Sequence, residues 1–165
     1  MATADFTTTI LVDQTPQEAY NAINNVRGWW SENIEGSTDK LNSEFDYHYE
    51  DVHLCKIKVI ELIPAQKVVW HVLDNYFKFT QDASEWKDTK IIFDIAKKDS
   101  KTEVRFTHQG LTPQYECYKI CFDAWTNYIQ NSLRNLVTTG KGNPTPKGEG
   151  LENFNEQLLE KWDLK

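Results

Sequence analysis

The chain has 165 residues, a formal charge of −7 and a pI of about 5.1, with 39% hydrophobic and 13% aromatic residues. That is enough to bury the core of one domain with a tail. The acidic balance excludes a binder of nucleic-acid backbones, which needs a basic stripe, and no window approaches the ~18 apolar residues of a membrane span.

Asp5–Val12 is β-branched and partly alternating, which predicts a strand. Thr15 and Glu18 have capping-box spacing around Pro16, so a short helix is expected to run to about Asn25, with Gly28 stopping it before Trp29-Trp30. Residues 36–42 read as a polar loop. Phe45, Tyr47 and Tyr49 then alternate with Asp46, His48 and Glu50, giving a half-buried strand with an aromatic inner face. Asp51 makes a tight return. A longer strand, Val52–Ile63, follows, with Cys55, Ile57 and Val59 inward. Lys67–Leu73 is a third strand, with Val68, Trp70 and Val72 on one face. Asp74–Lys87 reads as a loop carrying Tyr76, Phe77, Phe79 and Trp86. Thr89–Ala96 and Lys101–His108 form a hairpin, with Ile91, Phe93, Ile95, Val104, Phe106 and His108 inward.

The longest periodic segment is Pro113–Thr138. Tyr118, Cys121, Phe122, Trp125, Ile129, Leu133 and Leu136 fall at helical spacing, with Thr112 as cap and Gly140 as stop. Such a helix is roughly 35–40 Å long. Residues 1–139 are expected to form the domain. Residues 140–165 are expected to be a Gly/Pro linker followed by a short amphipathic helix, with Leu151, Phe154, Leu158 and Trp162 on one stripe.

Antiparallel strands followed by a long one-sided helix predict an α+β fold in which a curved sheet wraps the helix. The inner faces carry Phe45, Tyr47, Tyr49, Trp70, Phe93, Phe106, Tyr118, Phe122 and Trp125. Rings of this size either interdigitate into a solid core or leave a cavity with a few polar handles. In the second case Trp30 and Phe77 would sit at the mouth and His108 and Ile129 inside. His108 is either a polar handle or acid/base group in that cavity, or a histidine hydrogen-bonded in the core. It is the one weak catalytic candidate. His48 and His53 look peripheral, and Asp46 and Glu50 point outward. Cys117 and Cys121 share a helix side but lack two further ligands for zinc. No metal and no cofactor is expected. Three cysteines without close pairing and no signal peptide at Met1–Asp5 suit a reducing cytoplasm.

Several of these pieces together resemble the START-like, helix-grip (SRPBCC, Bet v-like) superfamily, and within it the family of the heat-shock protein 90 ATPase activator (AHSA-like). They are Trp29-Trp30, Phe45, Val59–Pro64, Val68-Val69-Trp70, Thr102–Leu111 and the helix centred on Trp125, within about Phe6–Val137. The resemblance implies a sheet gripping a C-terminal helix with an apolar pocket between them. It does not imply one activity. Binding of a small hydrophobic or aromatic ligand is the leading expectation. The alternatives are a cyclase or hydrolase-like enzyme using His108, or a co-chaperone or other interaction domain. The C-terminal tail helix is expected to pack on its own domain; the alternatives are exchange in a homodimer or docking on a protein partner.

Overall fold

The computed structural model describes residues 5–49, 53–78, 80–81 and 85–146. Seven strands form one antiparallel sheet: β1 (Phe6–Val12), β2 (Ile34–Gly36), β3 (Glu44–Tyr49), β4 (His53–Ile63), β5 (Lys67–Phe77), β6 (Lys90–Lys98) and β7 (Lys101–Gln109). Their spatial order is β1-β7-β6-β5-β4-β3-β2. Register shifts between Lys56 and Ile57 and between Val59 and Glu61 interrupt the β4–β5 ladder. Such bulges add twist and let a sheet curl. The curled face receives α1 (Pro16–Asn24) and a long helix, α2, that runs from Tyr118 to Thr139. This is the expected helix-grip arrangement. Among the described residues no helix is long and apolar enough to cross a membrane.

Local chemistry sets most boundaries. The Glu18 N–H donates to Thr15 Oγ1 (3.1 Å) and Pro16 occupies the first turn, so α1 starts where its capping box lies. Gly140 ends α2 in the left-handed conformation (φ 84°), which glycine adopts without steric cost. The start of α2 differs from expectation. Residues 113–117 form turns, and the helix begins at Tyr118. The turn that leads into it is held by the Glu85 carboxylate, which accepts from Glu116 N (2.8 Å) and Cys117 N (3.0 Å). A carboxylate there also complements the helix dipole. α2 is not uniform either: Tyr128–Leu133 is one π turn between α-helical halves. An extra residue per turn re-aims the side chains that follow.

Two elements exceed what local pattern predicts. β2 is too short to carry periodicity and exists by pairing with β3. β5 continues through Asp74–Phe77, which read as loop because Asp and Asn favour turns. Its partners His53–Lys56 on β4 hold it extended.

Both outer strands are closed by side chains. Gln130 Nε2 donates to Thr9 O (2.9 Å) and Arg134 Nη1 to Leu11 O (3.3 Å) along β1. At the far end, Arg27 donates through Nε to Ile34 O (2.9 Å) and through Nη2 to Gly36 O (2.8 Å) of β2.

The segment after Gly140 is fastened rather than slack. Asn143 N donates to Ser132 Oγ (2.7 Å), which itself donates to Trp29 O (2.6 Å). Thr145 N then donates to Trp30 O (3.1 Å), and Glu32 N donates to Thr145 O (2.9 Å). Residues 141–146 thus form a strap across α2, parallel to Ser31. The amphipathic stretch Leu151–Trp162 lies outside the described residues.

The strap depends on Gly142. A Cβ there would sit 2.3 Å from Gly28 O and 2.9 Å from Ser132 O, both rigid backbone atoms. Gly142→Ala is expected to cost roughly 2 kcal/mol, a fall in melting temperature of about 5 °C. An unchanged melting temperature would show that the strap is not held in this position.

Candidate functional site

The largest rings of the core pack face to face and edge to face. Trp30 stacks on Tyr47 (centroids 4.2 Å apart) and lies near parallel to Trp70 (6.1 Å). Trp70 meets Phe45 (5.3 Å) and Phe93 (5.1 Å) edge-on, and Phe93 meets Phe106 (5.2 Å). Trp125, from α2, tilts against Phe106 (4.7 Å) and Trp30 (5.0 Å) and stacks with Trp86 (5.6 Å). Such pairs contribute about 1 kcal/mol each beyond area burial. Packing is incomplete on one side. There a cavity of about 440 Å³ opens between sheet and helix, a volume suited to a small organic molecule.

Its sheet-side wall is Tyr47, Tyr49, His53 and Phe77, joined by Trp30 and by Trp86 from the β5–β6 connection. Its helix-side wall is Ile120, Cys121, Ala124, Trp125, Asn127 and Tyr128, with Thr145 from the strap. Trp30, Tyr47, Tyr49, Phe77 and Trp125, named from the sequence, therefore border the cavity. Phe45, Trp70, Phe93, Phe106, His108 and Ile129 do not; they are buried in the core beneath it. Tyr118 and Phe122 also lie off the cavity. Phe122 is 42% exposed and packs over Phe6 (5.2 Å) toward β1, with Tyr118 beside it (5.9 Å). The helix stripe is wider than the groove that holds it, so only the Cys121–Trp125–Tyr128 side faces the cavity.

His53 corrects the reading of a peripheral histidine: it is 8% exposed and lines the cavity. Two residues before inward-facing Cys55, it shares that strand face. His48 is buried as well. His53 Nε2 donates to Asn75 Oδ1 (2.7 Å), and its ring stands edge-on to Trp86 (4.7 Å) and Tyr47 (5.2 Å). Tyr128 was findable, three residues after Trp125 on one helix face. Thr145 had no signal in a Gly/Pro-rich stretch.

His108 is wholly buried and both ring nitrogens are occupied. Trp125 Nε1 donates to Nδ1 (3.1 Å), so the ring proton is on Nε2, which donates to Thr89 Oγ1 (2.8 Å). The Thr89 hydroxyl in turn donates to Trp86 O (2.5 Å). A proton relay to the cavity would break this chain. Of the two readings of His108, the geometry is that of the core histidine.

Charge is disfavoured throughout. Burial lowers His53 to about 4, and burial with a smaller effect of His53 lowers His108 to about 3. Burial also raises the Tyr47 and Tyr128 hydroxyls. The Cys117 thiol is raised by its hydrogen bond to Cys121, then by burial. Among the described residues, no side chain on the cavity wall is a lysine, arginine or carboxylate. Asp46 faces away, against Lys56 (3.4 Å). Glu50 lies outside the described residues.

These histidines fix a pH dependence. An unfolded histidine titrates near 6.5, so between about pH 6.5 and 4 the unfolded chain binds more protons and stability falls with pH. The contribution is complete above 6.5. Lowering the pH from 7 to 5 is expected to remove about 2 kcal/mol per histidine, read as a lower urea midpoint. A flat profile across that window would contradict neutral burial of both rings.

No protein-family model and no curated protein matches the chain. Solved structures do. The Aha1 dimer from Colwellia psychrerythraea is similar over 84% of this chain and 99% of its own, at 23% identity and a TM-score of 0.67. SSP2350 from Staphylococcus saprophyticus is similar over 87% and 98%, at 15% identity and a TM-score of 0.62. DynU16, of the dynemicin biosynthetic locus, is similar over 82% of this chain and 48% of its own, at 12% identity and a TM-score of 0.59. At these identities the likeness is one of fold: a curved antiparallel sheet closed on a C-terminal helix.

Proposed function

We propose that the protein binds a small apolar or aromatic molecule in the cavity between the sheet and α2. One observation carries this reading: Trp30, Tyr47, Phe77, Trp86 and Trp125 converge on about 440 Å³ that their own packing leaves open. Filling such a space removes apolar surface from water at about 25 cal/mol per Å². The occupancy of both His108 nitrogens favours binding over turnover. Tyr49 and Ile120, 40% and 58% exposed, flank the mouth and supply an apolar approach.

A second reading concerns assembly. The similar Aha1 structure is a dimer, and self-association of this chain is the corresponding proposal. Light scattering at micromolar concentration tests it, and a strictly monomeric mass would reject it.

The binding reading is tested with N-phenyl-1-naphthylamine, an uncharged fluorescent probe, and by mass spectrometry before and after denaturing extraction. Ala124 lines the cavity yet is exposed, so Ala124→Trp is expected to fill the cavity and preserve the fold. Wild type is expected to bind the probe in the micromolar range, with the variant at least 10-fold weaker and equally stable. Equal binding by both would place the probe elsewhere and reject the cavity.

A further inference from the structure

The cavity has an unequal distribution of polar atoms, and this deepens the proposed function, on which it rests. Tyr47 stacks on Trp30 (centroids 4.2 Å apart), and the two border the cavity together with Tyr128 and Thr145. The Tyr128 hydroxyl is bonded to Thr145 Oγ1 (2.6 Å). Polar groups from four segments thus border one space, from both of its walls: the turn after α1, β3, the π turn of α2 and the strap. Hydroxyls both donate and accept, and the indole donates only. Such a set can satisfy one ligand oxygen of either hydrogen-bonding sense.

Among the described residues it offers an ionised group no salt-bridge partner. No lysine or arginine among the described residues borders the space to pair with an anion, and no carboxylate to pair with a cation. His53, the titratable base among the described residues of the wall, donates its Nε2–H to Asn75 Oδ1 and stays neutral above about pH 4. An ionised group brought in would lose hydration with no opposite charge to pair with, most severely for an anion facing ring π-systems, and this costs more than a neutral hydroxyl moved onto hydroxyl neighbours. Much of the remaining wall is flat rings, with Ile120, Cys121, Ala124 and Asn127 completing the helix side. Trp30 and Tyr47 are stacked at 21°, Trp86 and Trp125 at 13°. Flat walls favour flat occupants.

We infer that the ligand is an uncharged, planar aromatic molecule carrying a hydroxyl or carbonyl oxygen, and that the Trp30–Tyr47–Tyr128–Thr145 cluster receives that oxygen. Thr145 makes the strap part of the recognition surface, so specificity depends on a segment beyond the helix-grip core.

The test is competition against N-phenyl-1-naphthylamine at pH 7 with four ligands that share one ring system: naphthalene, 2-naphthol, 2-naphthoate and (2-naphthylmethyl)trimethylammonium. The expected order places 2-naphthol first, with the carboxylate and the ammonium each at least about 30-fold weaker. Tyr128→Phe removes one hydroxyl and keeps the ring. It is expected to weaken 2-naphthol about 5-fold and leave naphthalene unchanged, as loss of one hydrogen bond predicts. A charged analogue that binds as well as 2-naphthol overturns the inference while the cavity reading stands. An equal effect of Tyr128→Phe on naphthalene and 2-naphthol overturns the role of the cluster. Wild-type protein that binds neither probe nor any naphthalene overturns the cavity reading and this inference with it.

Discussion

The hydrogen bond from the Trp125 indole to His108 fixes how the long helix sits on the sheet. It joins the middle of α2 to the end of β7 inside a layer that is otherwise rings and aliphatic chains. Dispersion and burial hold the helix against the sheet but do not choose its rotation, because many rotations bury similar area. One directed bond between two fully buried polar groups does choose, since any other rotation leaves both unpaired. Once Trp125 is set, Cys121 and Tyr128 face the open side and Phe122 faces β1. Thr89 and the Trp86 carbonyl extend the same chain of bonds, so the β5–β6 connection is placed by it too.

The open side is built from pieces distant in the chain. Glu85 binds the N–H groups of Glu116 and Cys117 just before α2 and brings Trp86, its neighbour, to the cavity wall. Ser132, within the π turn, ties Trp29 on one side and Asn143 on the other, and so sets Trp30 and Thr145 together. The space is the gap that remains when three loops have each been fixed by a polar contact of their own. That accounts for a void in a core so rich in large residues.

How much of this was legible follows from the range of each signal. Alternation and helical period identified the main strands, the helix and the inward set Trp70, Phe93, Phe106 and Trp125, because those patterns are local. They also held the answer for His53, by parity with Cys55, which its position next to a tight return obscured. They could not separate residues beside the cavity from residues beneath it. Phe45 and Tyr47 share one strand face, yet only Tyr47 borders the space. That distinction is made by the curl of the sheet and the rotation of α2, both set by long-range contacts. Glu85 as the anchor of the turn before α2 and Thr145 as a wall residue carry no local signature at all.

The side chains on the outer strands have a consequence for how copies of this chain can meet. Strand addition, whether in an ordered dimer, a domain swap or a growing cross-β fibril, begins with free carbonyls along an exposed edge. Here Gln130 and Arg134 hold the carbonyls of Thr9 and Leu11 on β1, and Arg27 those of Ile34 and Gly36 on β2. An incoming strand would have to displace charged, multiply bonded guanidinium groups before gaining its first ladder bond. Each of these contacts raises the cost of adding an eighth strand at that point of the edge. In a protein with an aromatic interior this dense, that safeguard separates a specific partner from an indiscriminate one.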